Sequence, residues 1–351
     1  MKRTLTHEQI ARAIAHARGP DTRVTGSREL AGGTFNSVHL LTLDRGAGRE
    51  SAVLKVGPPA GTPLMTYEHA LMRTEAEFYR RASAVPGLPV PRVLATGSDR
   101  TAIDGDHLLM TRLEGEPWAR LRPGIGAEDQ ARLRAGLGRL VRGLHRVRGS
   151  SFGYPYADPP AGAAGSWRTA FEAMLADVCA DARRYRAPLP VDPDEVLGLV
   201  RARGRLLDQV KTPSLVHFDL WEGNILLAER EGRLEITGIL DGERSFWGDP
   251  LADLVSTALF GDITRDPAFL SGYRSSPLTA DERLRIAMYR TYLALIVLVE
   301  GVPRGYDPQA RAPLTAWAAA DLEAALDLLR HGAGQRAAAV PPLRAPLPRR
   351  R

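Results

Sequence analysis

The chain has 351 residues, 44% of them hydrophobic, which suits one large or two modest domains with a sizeable core. Its single cysteine, Cys179, excludes an internal disulfide and a multi-cysteine zinc site, and reads as a small core residue. The formal net charge of +6 is uneven: residues 334–351 carry five arginines and no acid, whereas residues 214–300 hold 8 Arg against 14 Asp or Glu. Such an acidic segment repels nucleic-acid phosphates and attracts cations, so no nucleic-acid partner is expected and amine-bearing ligands are favoured.

Met1-Lys2-Arg3 leads into Thr4-Leu5-Thr6-His7-Glu8 rather than an apolar run, so no signal peptide is read there. The longest apolar run, Leu293 to Val299, is too short to span a bilayer. A cytoplasmic protein with no membrane partner is the expectation.

Residues 1–18 read as a surface helix carrying Leu5, Ile10 and Ile14. The stretch from Leu30 to Leu41 reads as strand, glycine turn, strand. Gly32 and Gly33 would let backbone N–H groups approach a phosphate, with Thr34 and Ser37 as hydroxyl donors. The plain alternative is a hairpin turn. Ser51 to Val56 is a short apolar strand containing Lys55. A strand lysine is normally a solvated residue. Helix 67–84, however, places Glu75 within the stripe of Leu71, Met72, Phe78 and Tyr79, and an inward carboxylate is costly unless paired. Lys55 with Glu75 is therefore the expected ion pair. The alternative is a rim contact of Glu75 with Arg73 or Arg80.

Pro86 to Pro91 ends this helix, and residues 92–97 and 107–113 follow as strands. Residues 127–148 form an amphipathic helix through Leu133, Leu137, Leu140, Val141 and Leu144, with its arginines on the solvated face. His145 reads as a packed or capping histidine. The Gly/Pro/Ala-rich stretch 149–165 is a loop whose Phe152, Tyr154 and Tyr156 either line a pocket or pin the loop. Residues 167–185 and 192–210 read as helices.

Then comes Leu215-Val216-His217-Phe218-Asp219-Leu220-Trp221-Glu222-Gly223-Asn224, a polar loop between apolar strands. Residues 225–240 read as a hairpin that returns Asp241-Gly242-Glu243 beside Asn224. The run Gly248-Asp249-Pro250, with Asp253, follows. Residues 283–299 and 313–329 close the chain as helices, and residues 334–351, rich in Ala, Pro and Arg, read as a disordered tail.

The pattern H-x-D-x-x-x-x-N, a strand pair, D-x-E and then G-D-P-x-x-D resembles the aminoglycoside phosphotransferase and choline kinase superfamily. That resemblance implies an α+β, protein-kinase-like bilobal fold. A small N-terminal lobe with an antiparallel sheet (1–110) would bind nucleotide. A larger, mainly helical lobe (111–333) would carry catalysis and the acceptor. It implies transfer of the γ-phosphate of ATP or GTP to a hydroxyl of a small molecule, with Mg2+ as cofactor, because phosphoryl transfer needs chiefly positioning and charge neutralisation. Asp219 would orient or deprotonate the hydroxyl, with His217 beside it as a catalytic residue. Asn224 and Asp241 offer the oxygen ligands that a hard ion prefers. Lys55 would grip the α/β-phosphates, and the hinge around Met110 and Leu113 would meet the base. Glu243 would support the site. Asp249 would cap the next helix and brace the catalytic loop. Tyr289, Tyr292, Glu300 and Tyr306 stand on helices that build the acceptor site in the family, with core packing favoured for the two tyrosines.

Two positions depart from the family pattern: Phe218 stands where many relatives have Gly, and Gly242 where many have Trp. An antibiotic is the leading acceptor class in this reading. The alternative is a metabolic amino alcohol, sugar or amino acid. A non-catalytic module on the same fold is disfavoured by the presence of Lys55, Asp219, Asn224 and Asp241 together.

Overall fold

The computed structural model describes residues 4–30, 35–46, 48–98, 100–156 and 165–332. Gly32, Gly33, Thr34 and the basic tail lie outside them.

Helix α1 (His7–Arg18) opens on a Thr6/Gln9 capping box, with Thr6 N–H donating to Gln9 Oε1 at 2.9 Å. Strands β1 (Arg23–Glu29), β2 (Ser37–Asp44), β3 (Arg49–Val56), β4 (Val93–Gly97) and β5 (His107–Thr111) form one antiparallel sheet in the order β1-β2-β3-β5-β4. The period of two sorts β3. Ala52, Leu54 and Val56 join Leu41, Leu43 and Leu109 in a core sealed by Ile10 and Ile14. The first helix is thus a lid over one sheet face. Lys55 projects from the opposite face, toward α2 (Leu71–Ala82), which a 3-10 turn (Thr66–Ala70) precedes.

After β5 the chain leaves the large sheet, and β6 (Glu116–Pro117) pairs with β8 (Ile225–Arg230), which in turn pairs with β9 (Arg233–Ile239). The β8–β9 turn puts Glu231 and Gly232 at φ 51° and 77°, the left-handed pair that a tight hairpin needs. Strand β7 (Ser214–Val216) pairs with β10 (Phe246–Gly248). The remainder is helical: α3 (Trp118–Leu121), α4 (Ala127–Leu144), α5 (Trp167–Arg184), α6 (Pro193–Ala202), α7 (Asp253–Thr257), α8 (Pro267–Tyr273), α9 (Ala280–Glu300) and α10 (Pro308–His331). This is the bilobal α+β architecture that the motifs imply.

Two helix boundaries differ from expectation. The helix expected over 192–210 stops at Ala202 and continues as a 3-10 turn from Gly204. A Cβ at Gly204 would lie 2.6 Å from the Arg168 guanidinium, so the chain turns tightly there. Helix α10 starts at Pro308 rather than Pro313. Asp307 caps it, a proline in the first turn loses no helical hydrogen bond, and Pro313 is carried inside.

Helix α9 is buried almost all round, from Leu284 to Glu300, and forms the axis of the second lobe. Tyr289 and Tyr292 belong to this core, with Tyr289 accepting from Trp167 Nε1 at 2.8 Å. Cys179 is buried on α5, where burial pushes its thiol up to about 11. Among the described residues no helix is long and apolar enough to cross a membrane.

Candidate active site

The loop after β7 carries His217 and Asp219 into the cleft. Asp253, fully buried at the start of α7, holds that loop: its carboxylate accepts from His217 N at 3.0 Å and Phe218 N at 2.7 Å. His145 Nε2 lies 2.9 Å from the same carboxylate, so the packed histidine of α4 completes the brace. The bracing expected of Asp249 therefore falls to Asp253. Asp249 does cap the turn at Pro250, accepting from Leu251 N at 3.0 Å, but its other oxygen accepts from Arg285 and Tyr289 of α9. The loop comes within reach of the second carboxylate of the Gly-Asp-Pro run, not the first.

His217 has no exposed surface. Its Nε2–H donates to Leu240 O at 2.9 Å and its Nδ1 accepts from Asp219 N at 3.1 Å, which fixes the neutral tautomer. Burial lowers its pKa from the ordinary value, against the pull of Asp253. Both ring nitrogens are spent on backbone groups, so in this geometry His217 shapes the loop.

Asp219 is partly open to the cleft. Asn224 Nδ2 donates at 2.9 Å both to Asp219 Oδ2 and to Asp219 O. This commits the amide nitrogen and leaves the amide oxygen as the ligating atom. Burial raises Asp219 to about 6. Arg244 opposes that rise, while Asp241, Glu243 and Glu300 add to it.

Across the cleft Lys55 Nζ touches three carboxylates: Glu75 Oε2 at 2.7 Å, Glu243 Oε2 at 2.7 Å and Asp241 Oδ1. Burial would lower the lysine, but the charges of Asp241, Glu243 and Glu75 outweigh it and hold the ammonium well above its usual pKa. Oxygens of Glu75, Asp241 and Glu243 all lie within 4.8 Å of one another, a hard donor set of the kind a divalent cation takes. Glu243, expected only to support the site, is thus a direct partner of Lys55.

Tyr79, one turn after Glu75 on α2, ties the two lobes. Its hydroxyl donates to Glu75 Oε1 at 2.8 Å and accepts from Asp241 N at 2.9 Å. Asn36, at the end of the glycine turn, donates to Glu243 Oε2 at 2.7 Å. Sequence reasoning missed both. An aromatic in an apolar stripe and an asparagine beside glycines read as core and turn residues.

The departures from the family pattern have physical reasons. Phe218 adopts φ 62° and Asp241 φ 67°, the left-handed region in which a side chain is strained. Glycine would sit at 218 without strain. Here the phenyl ring is fully buried, 5.1 Å from the Phe246 ring and 5.6 Å from that of Tyr292, and packing offsets the conformation. At Gly242 a Cβ would lie 2.4 Å from the Phe78 ring, which itself stands edge-on to His217 at 4.9 Å.

The hinge expectation divides. Met110 lies inside β5 between Val53 and Val93, with its backbone in the ladder. Leu113 is in coil beyond the strand. Ser37 begins β2, buried opposite Val56.

Only part of the charge of the acidic segment 214–300 bears on Asp219, through Asp241, Glu243 and Glu300. Glu229, Glu231 and Glu235 sit exposed on the β8–β9 hairpin, Asp249 and Asp253 are spent internally, and Glu300 is surrounded by arginines. Glu300 accepts from Arg244 at 2.8 Å and Arg311 at 3.0 Å, and lies 3.1 Å from Arg304. Arg304 also donates to Glu68 in the turn before α2, Nε at 3.0 Å. The lobes are therefore linked a second time, by groups that no motif announced.

A lysine–glutamate pair in a small lobe, facing an Asp–Asn loop and a metal-type carboxylate in a helical lobe, defines a small-molecule kinase of the kinase-like fold. The chain belongs to the phosphotransferase enzyme family, whose sequence model matches residues 27–289. Among curated proteins it is similar to a probable ketoamine kinase of Synechocystis sp., 28% identical over 81% of this chain and 88% of that one. It is also similar to a probable ketoamine kinase of Staphylococcus aureus, 28% identical over 61% and 70%. Among solved structures it resembles a thermostable mutant of aminoglycoside phosphotransferase APH(4)-Ia with AMP-PNP and hygromycin B. The TM-score is 0.61 at 19% identity, covering 93% of this chain and 99% of that one. A putative aminoglycoside phosphotransferase from Ralstonia eutropha gives 0.60 at 15%, covering 94% and 99%. At these identities the structural likeness speaks to the fold alone.

Proposed function

We propose that the protein moves the γ-phosphate of ATP or GTP to a sugar-derived hydroxyl of a ketoamine, the metabolic alternative to the antibiotic acceptor. The carrying observation is the convergence at the cleft of Asp219, locked to Asn224 at 2.9 Å, with the Lys55 cluster opposite. The sequence relatives named as probable ketoamine kinases support this acceptor class over an antibiotic, because the antibiotic kinases are alike only in fold.

In this reading Asp219 orients the acceptor hydroxyl and takes its proton as the oxygen bonds to the γ-phosphorus. The bond from that phosphorus to the bridging oxygen breaks, releasing the nucleoside diphosphate. Lys55, aimed by Glu75, contacts the α/β-phosphates, and Glu75 is aimed by Tyr79. Asn224 Oδ1 and Asp241 would hold Mg2+, with Glu243 as a nearby oxygen donor. When bound, the ion neutralises phosphate charge. Gly32, Gly33 and Thr34, outside the described residues, keep their expected role as phosphate contacts together with Ser37, and the coil at Leu113 meets the base. The lobe boundary is taken at 110/111, next to the point where the chain leaves the large sheet. A cytoplasmic location fits a nucleotide-dependent enzyme.

The test is an acceptor panel with γ-labelled ATP containing ketoamines, amino alcohols, sugars and aminoglycosides. A ketoamine with the highest kcat/KM supports the reading. Labelling of an aminoglycoside and of no ketoamine would replace it with the antibiotic reading.

A further inference from the structure

The acceptor side of the cleft contains a buried group of charges that the transfer chemistry leaves unused. Three arginines, Arg244, Arg304 and Arg311, stand against two carboxylates, Glu300 and Glu68. The three are not equally committed. Arg304 reaches Glu68, Glu300 and the Tyr306 hydroxyl, and its guanidinium lies 4.2 Å over the Phe35 ring. Arg311 binds Glu300 and Val297 O. Arg244 makes a single hydrogen bond among the described residues, Nη2 to Glu300 at 2.8 Å. The rest of its five-donor fork has no protein partner there. Its side chain keeps 12% exposure, and its charge is the leading cationic influence on Asp219.

A second observation concerns Tyr67, whose stacking partner Tyr154 has its ring 5.7 Å from that of Phe246, two residues after Arg244. The Tyr67 hydroxyl is sealed from solvent and has no hydrogen-bond partner among the described residues. Arg244 is the charge that acts most strongly on it. The ring is fixed by stacking on Tyr154 at 5.7 Å, and Tyr154 is tied by its hydroxyl to Tyr292 at 3.0 Å. A buried hydroxyl without a partner is costly unless a ligand supplies one.

We propose that Arg244 and Tyr67 form a carboxylate subsite for the acceptor, so that the preferred substrate is a ketoamine built on an amino acid. One carboxylate matches one under-committed guanidinium, in the planar geometry that suits it. A phosphate would bring two negative charges beside the transferring γ-phosphate. It adds an anionic group to the amine-bearing acceptor that the acidic composition of residues 214–300 favours. The inference rests on the ketoamine reading for the identity of the acceptor, but not for its anionic group.

The test uses matched pairs that differ only in the carboxylate: fructosyl-glycine against fructosyl-methylamine, and serine against ethanolamine. Binding to the full-length enzyme saturated with a non-hydrolysable ATP analogue and Mg2+ is measured by calorimetry. In at least one pair the carboxylate member should bind about tenfold to hundredfold tighter, the range of a charge-assisted hydrogen bond. Arg244→Gln should erase that margin, so that the two members of the pair bind alike. Tyr67→Phe keeps the stacked ring and removes only the unpartnered hydroxyl. It should preserve the melting temperature and reduce the margin about threefold to tenfold. A wild-type margin under threefold in both pairs, no binding by either carboxylate member, or a margin that survives in both variants overturns the proposal. Which pair is phosphorylated decides the ketoamine reading separately.

Discussion

Two polar clusters line the cleft, and their charges are opposite in sum. On the nucleotide side one ammonium, Lys55, faces three carboxylates, Glu75, Asp241 and Glu243. On the acceptor side three guanidiniums face Glu300 and Glu68. An excess of buried charge is expensive unless something compensates it. The first cluster therefore suits a divalent cation arriving with a triphosphate, and the second suits an acceptor that brings its own anion. Each cluster also ties one lobe to the other.

The comparison can be broken most forcefully at the chemical centre. Asp219→Asn should preserve the fold and nucleotide affinity while lowering kcat by roughly 10²–10⁴-fold, the usual range for a positioned acid or base. Steady-state kinetics together with nucleotide binding checks this, and near-normal turnover would remove Asp219 from its role. Asp241→Ala should abolish the Mg2+ dependence of ATP binding or turnover. A metal titration matching the wild type would show that the first cluster is not the metal side.

A smaller effect is expected within the first cluster. Lys55→Ala should lower kcat/KM by roughly 10- to 100-fold, as for loss of a charge-assisted contact. Glu75→Gln should cost less, because Glu75 acts through Lys55. The double variant should be no worse than the product of the singles, and a much larger loss would argue that the two act apart.

The second cluster should register in stability. Glu300→Gln leaves three buried arginines short of their shared partner, a loss of about 3–5 kcal/mol by analogy with other broken buried pairs. Thermal unfolding reads it, and a wild-type melting temperature would show that solvent compensates the arginines. Burial pushes Glu300 up, but Arg304, Arg244 and Arg311 outweigh it and hold the carboxyl down at about 2. A carboxyl depressed by folding stabilises the native state above its unfolded pKa, about 4.3. That contribution, roughly 3 kcal/mol, is lost as pH falls from there through about 2. The wild type should therefore lose stability over that acid window more steeply than Glu300→Gln. The smallest effect is expected from truncation after Gly332. The arginine-rich tail belongs to neither cluster by composition, so melting temperature and activity should stay unchanged, and a marked loss would show that it docks.

The sequence by itself determined the phosphotransferase core. His217, Asp219, Asn224 and Asp241 lie on one strand–loop–hairpin unit, where backbone geometry over a few residues fixes their relative positions. Glu75 was legible for a similar local reason, since the helical period turned it inward. Tertiary structure alone decided the rest. Asn36 meets Glu243 across 207 positions, and Arg304 meets Glu68 across 236. Separations of that size have no spacing rule, because the partner depends on how the lobes pack and not on any local period. Composition is mute on placement for the same reason. Fourteen acids in residues 214–300 give an acidic segment, but whether each one faces solvent, a helix terminus, a lysine or three arginines is settled only when the chain is folded.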